Sequence, residues 1–75
     1  MRRLNFKYIT KNKTTWLRDV STKYSIKVDL SGGKHRVYDV TMYQNGGSTE
    51  YVEVFNGWSL EQCKRKVRSL LNERG

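Results

Sequence analysis

Two glycine-bearing tetrapeptides, Ser31–Lys34 (SGGK) and Gln44–Gly47 (QNGG), constrain this chain more than any other feature. Gly and Asn accept the positive φ that tight hairpin turns require, and the segments flanking these turns alternate. In KYSIKVDL, Tyr24, Ile26, Val28 and Leu30 fall on one side of a strand, and Lys23, Ser25, Lys27 and Asp29 on the other. In HRVYDVTMY, Tyr38, Val40 and Met42 oppose Val37, Asp39, Thr41 and Tyr43. In TEYVEVF, Val52 and Val54 oppose Tyr51, Glu53 and Phe55. The spacing predicts three antiparallel strands over residues 23–55, joined as a meander. It also predicts that Val40, Val52 and Val54 share a face which Tyr43, Tyr51 and Phe55 leave, and that Asp39 and Glu53 share one face.

A helix is expected over residues 59–73. Gly57 ends the last strand, Ser59 is a good N-cap, and Gln62 three residues on completes a capping box. Trp58, just before the cap, is expected to pack back onto the first turns. Leu60, Cys63, Val67, Leu70 and Leu71 make one helical stripe, which requires a sheet to lie on. Glu61, Arg65, Arg68 and Asn72 form the outer face.

Residues 1–22 allow two readings. LNFKYIT and TTWLRDV are both rich in strand formers, and KNK between them can turn the chain. Alternatively residues 1–13, with Arg2, Arg3, Lys7, Lys11 and Lys13, form a basic arm. The fold class is therefore α+β in a single domain, 1–75: an antiparallel β-meander of three to five strands packed against one C-terminal amphipathic helix.

Charge narrows the function classes. Fifteen Lys and Arg against seven Asp and Glu leave a formal net charge of +8, and the signs are segregated. Residues 1–36 hold ten basic and two acidic side chains, residues 37–57 hold three acidic and none basic, and residues 58–75 hold five basic and two acidic. Such a distribution favours one basic surface, and charge of this kind attracts phosphate polymers, anionic membranes or acidic proteins. The one cysteine, Cys63, excludes an intrachain disulfide and reads as a small buried apolar residue. The start MRRLNFKYITKNK has a basic head without an apolar region behind it, and no apolar run is long enough to span a bilayer. A cytoplasmic protein without a membrane partner is expected.

Catalysis has little to stand on. The one histidine, His35, has no second histidine or cysteine cluster near it in sequence, so metal-ligand spacing is missing. Neither glycine turn has the spacing of a phosphate-cradling loop. The chain is expected not to be an enzyme and to need no cofactor.

From Tyr24 onward the order is strand, SGG, strand, NGG, strand, then GWSLEQC opening an amphipathic helix. Residues 24–72 in this respect resemble the arm-type or AP2-like DNA-binding domains of tyrosine integrases of phages and transposons, matched at Gly57, Trp58, Ser59 and Cys63. The stretch is also similar to the C-terminal half of a double-stranded-RNA-binding domain, although Leu60 and Glu61 stand where that family has paired lysines. The integrase resemblance implies that the exposed sheet face meets DNA, which implicates Lys23, Lys27, Lys34 and Arg36.

The expectation is a small basic nucleic-acid-binding protein, phage- or mobile-element-like, taking DNA through a basic hairpin and an N-terminal arm. Lys23, Lys27, Lys34, His35 and Arg36, with Arg2 and Arg3 in the arm, are the candidate contacts. Aromatics interleaved with Lys and Arg on an open sheet would offer a stacking surface for bases. The rival expectation is a protein-interaction module, an inhibitor or accessory protein, that shows a sheet edge or aromatic patch to an acidic partner. An exposed edge could also pair two copies into a homodimer.

Overall fold

The computed structural model of the chain describes residues 4–73. Five strands, β1 (Lys7–Lys11), β2 (Thr14–Arg18), β3 (Tyr24–Lys27), β4 (His35–Met42) and β5 (Thr49–Gly57), precede one helix, α1 (Leu60–Glu73). The strands form a single sheet in the order β1-β2-β3-β4-β5, with every neighbouring pair antiparallel. The helix packs across β3, β4 and β5. The chain is thus an α+β fold of the five-stranded kind. Lys7, Lys11 and Lys13 belong to a hairpin, while Arg2 and Arg3 of the proposed arm lie outside the described residues.

Local chemistry sets the turns. Asn12 and Lys13 both adopt positive φ, 51° and 65°, in the two-residue loop between β1 and β2. A loop with two such residues has the twist that matches the flanking strands. After β3, the Asp29 carboxylate accepts the backbone N–H (2.8 Å) and the hydroxyl of Ser31. This side-chain turn bends the chain off the sheet. Leu30, which alternation placed with Tyr24, Ile26 and Val28, is consequently exposed. Gly33 sits directly on the Asp29 carboxylate, where any Cβ would collide with Oδ2. Between β2 and β3, the Asp19 carboxylate accepts the N–H groups of Ser21 (2.8 Å) and Asn5 (2.6 Å). That bond ties down the segment before β1, so Leu4 and Phe6 pack against the core.

The core lies between the sheet and the helix. Leu17, Ile26 and Val37 occupy successive strands in one cross-strand row, and Phe55 extends it onto β5. Cys63 and Val67 close over it from the helix, with Leu60, Leu70 and Leu71 at the margins. The predicted stripe therefore faces the sheet. Ser59 caps the helix: its Oγ accepts the Gln62 N–H (3.2 Å), and Gln62 Oε1 accepts the N–H groups of Ser59 (3.3 Å) and Trp58 (2.8 Å). The Trp58 ring does not staple the first turns. It is 67 % exposed, with the Lys34 ammonium 5.0 Å above its centre. Gly57 explains why no larger group sits at this junction, since a Cβ there would lie 3.0 Å from the Phe55 ring and 3.1 Å from Cys63 Sγ.

A β-bulge decides which residues of β4 and β5 face the helix. Val37 pairs with Phe55, but the next residue, Tyr38, pairs with Glu53, so Val54 is passed over. Adjacent residues of a strand point to opposite faces. Phe55 therefore joins the core with Val37, and Glu53 goes to the other face with Tyr38. Beyond the bulge Asp39 pairs with Val52 and Val40 with Tyr51. The shared face expected for Val40, Val52 and Val54 does not form, and Asp39 and Glu53 lie on opposite faces. Tyr38, Val40 and Met42 are turned away from the helix.

Candidate nucleic-acid interface

The sheet face opposite the helix follows from strand register. Cross-strand partners share a face, as do residues two apart. One row runs Ile9, Trp16, Lys27, Arg36, Asn56 across all five strands. The adjacent row runs Lys7, Arg18, Ser25, Tyr38, Glu53. Lys11 and Thr14 pair at one end of this face, and Val40 with Tyr51 at the other. Lys7, Lys11, Arg18, Lys27 and Arg36 thus meet a single carboxylate, Glu53, on these strands. No described element covers them.

Aromatic rings occupy the middle of this face. The Trp16 and Tyr38 ring centres are 5.8 Å apart at 62°, Trp16 and Tyr51 are 5.8 Å apart at 28°, and Tyr38 and Tyr51 are 6.1 Å apart at 90°. Trp16 is on β2 and Tyr38 on β4, so their rings meet over β3. Between its cross-strand partners Arg18 and Tyr38, the small Ser25 is only 5 % exposed although it lies on the open face. Tyr51 forms the outer side of the cluster and is 54 % exposed.

A groove of about 840 Å³ opens beside the cluster, between the β1–β2 turn and the β3–β4 loop. Lys13, Lys27, Lys34 and Arg36 supply its positive charge, and Asp29 and Glu53 its negative charge. Glu53 Oε1 lies 3.5 Å from Arg36 Nε, and its other oxygen accepts from Asn56 Nδ2 (3.1 Å). Hydrogen bonds from Ser31 hold the Asp29 carboxyl below the usual carboxylate range, aided by the Gly33 N–H and His35. Asp29 is therefore a fixed anion that shapes the loop.

The residues predicted from sequence separate into groups. Lys27, Lys34 and Arg36 come together in the groove, and Lys27 and Arg36 are direct cross-strand partners. Lys23 stands at the other end of β3, where its ammonium is 3.0 Å from Asp39 Oδ2. His35 pairs with Gly57 on the helix-facing side, and its Nδ1 accepts the Asp29 N–H at 2.9 Å. Its ring thereby closes the β3–β4 loop. Trp16, Arg18, Tyr38 and Tyr51 were not among the predicted contacts. The signal for two of them was present, since Thr14, Trp16 and Arg18 alternate against the buried Leu17. Among the described residues, no group of three or more His, Cys, Asp or Glu is placed to hold a metal ion, and no helix is long and apolar enough to cross a membrane.

Comparison with protein-family models, with characterised proteins and with solved structures finds no match to this chain.

Proposed function

We propose that this protein binds nucleic acid, DNA in the first instance, through the open sheet face and its adjoining groove. The observation that supports this reading most is the charge of that face: five cations against one carboxylate, arranged around an aromatic cluster, with Lys7, Lys11, Lys27 and Arg36 exposed and Arg18 partly buried. Polyanion binding by such a face is driven by release of condensed counterions. Lys27, Lys34 and Arg36 are the central contacts and Lys13 extends them along the groove, with Arg2 and Arg3 as further phosphate contacts.

The test is a binding titration at several salt concentrations. The four groove cations alone imply that log K falls with log salt at a slope of roughly −3 to −4, and contacts from Arg2 and Arg3 steepen it to roughly −4 to −5. Lys27→Ala or Arg36→Ala should each lower the slope by about 0.7 to 0.9. Glu53→Gln should tighten binding, because it releases Arg36 and removes the carboxylate that repels phosphate. Absence of binding to both single-stranded and duplex DNA at low salt would sink the proposal.

A second reading has one specific observation in its favour. β5 is a nine-residue edge strand along which Tyr51, Val52 and Val54 are exposed. An edge of this kind can add a strand from a protein partner or from a second copy of the chain. Capture of a partner that survives nuclease treatment favours this reading, as does dimerisation abolished by a proline placed within β5.

A further inference from the structure

We infer that the ligand of this face is single-stranded nucleic acid, whose bases stack against the Trp16–Tyr38–Tyr51 cluster while its backbone follows the cationic groove. The inference rests on the nucleic-acid reading above and names its substrate class.

The rim of a duplex is phosphate, and its base faces are hidden in the stack, so aromatic rings on a sheet gain little from it. An unpaired base exposes both π faces, and every base has them. The open face offers the matching surface. Its rings are held in place by one another at 5.8 to 6.1 Å, and Tyr38 is the cross-strand partner of the buried Ser25. Tyr51 keeps about half of its surface free. A ring already fixed loses little freedom when a base lands on it.

The charge lies where a stacked strand needs it. Lys27, the cross-strand partner of Trp16, and Arg36, the partner of Lys27 on the next strand, line the groove and stand one row from Tyr38. Lys13 and Lys34 continue the groove away from the rings. Arg18, in the row that contains Tyr38, lies on the same face, and its Nε is buried without a hydrogen-bond partner. A backbone laid in the groove thus has cations at its phosphates and rings on the side to which its bases can turn. The face shows no projecting helix or loop aimed at a duplex groove among the described residues, since α1 lies behind the sheet.

The experiment compares the full chain and its Tyr51→Ala and Tyr51→Phe variants at low salt. The probes are a fluorescein-labelled oligothymidylate of about 12 nucleotides, within the site sizes used by small single-strand binders, and the same strand annealed to its complement. Anisotropy gives both affinities, and circular dichroism verifies that each variant is folded. The single strand is expected to bind about tenfold tighter than the duplex. Tyr51→Ala should weaken single-strand binding by about tenfold, the loss of one stacked base, with the salt slope unchanged. Tyr51→Phe, which keeps the ring, should bind as the unaltered chain does. In a Trp58→Phe background, Trp16 emission should be quenched as the single strand saturates. Duplex affinity equal to or above that of the single strand, or a Tyr51→Ala variant with undiminished affinity, overturns the inference while leaving the nucleic-acid reading in place. Failure of both probes to bind overturns the two together.

Discussion

Lys13 holds a left-handed backbone at φ 65°, beside Asn12 at φ 51°. A side chain in that region costs roughly 1–2 kcal/mol, and glycine avoids the cost. Lys13→Gly creates the Asn-Gly pair that such hairpins favour. Part of the gain is offset by the greater freedom of glycine in the unfolded chain. The net effect should be a stabilisation of about 0.5–1 kcal/mol, measured as a higher urea midpoint. Asp29 makes a prediction of opposite dependence. Its folded pKa is lowered, chiefly by Ser31, so its contribution to stability is fully present above the unfolded value. That contribution is lost as pH falls below about 4. Urea midpoints taken from pH 6 down to pH 3 should show a smaller acid-induced drop for Asp29→Asn than for the unaltered chain. An equal drop would show that the Ser31 hydrogen bonds do not favour the ionised carboxylate. The sequence DLSGG contains the elements of this turn, but alternation carried Leu30 onto the strand. Local side-chain hydrogen bonding overrode the apolar pattern at that point.

At the scale of elements, the helix was legible and the faces of the last two strands were not. The Ser59–Gln62 cap and the stripe from Leu60 to Leu71 depend on residues three and four apart, and these meet in any α-helix. The β4–β5 pairing depends on register, and a single passed-over residue, Val54, exchanges the faces of everything beyond it. Regular alternation therefore put Val40 and Val52 on one face, whereas the bulge pairs Val40 with Tyr51 and Val52 with Asp39. The bulge brings Phe55 to the core and leaves Gly57 buried at the junction of strand and helix. Gly57→Ala should destabilise the fold by about 1–3 kcal/mol, as overpacking of a filled site does. Its Cβ would lie within 3.2 Å of Phe55, Cys63 and Gln62 at once. Denaturant unfolding measures the loss, and an unchanged midpoint would mean that the helix shifts to admit the methyl group.

For the whole molecule, extents of 37 × 33 × 19 Å describe one helix layer on one sheet layer. A two-layer chain covers only one face of its sheet. Cys63 reports on the covered side. Its thiol is fully buried, desolvation pushes its pKa up, and Sγ lies 3.9 Å from the His35 carbonyl. A charged thiol reagent should therefore modify the folded protein on the order of a thousandfold more slowly than the unfolded chain, or slower still. The rate should rise with urea along the unfolding curve. Rapid labelling without denaturant would show that the helix lifts from the sheet by itself. The uncovered side carries the proposed site. Lys27, Lys34 and Arg36 were readable as a group because one short hairpin holds all three. Lys7, Lys11, Arg18 and Trp16 reach that face only through pairing between β1, β2 and β3, and Tyr51 reaches it across β4.

The sequence by itself determined the class of fold, the capped helix and its apolar stripe, and the positions of the glycine turns. Each of these rests on spacings of two to four residues and on backbone conformations that few residue types accept. Tertiary structure decided the rest. It drew residues 7–18 into the sheet, turned Phe55 inward and Tyr38 outward through one bulge, tied Lys23 to Asp39, and set His35 to close a loop. The reason is that an alternating strand has two candidate faces of comparable polarity. Which one is buried depends on partners far along the chain, whose register no local spacing records.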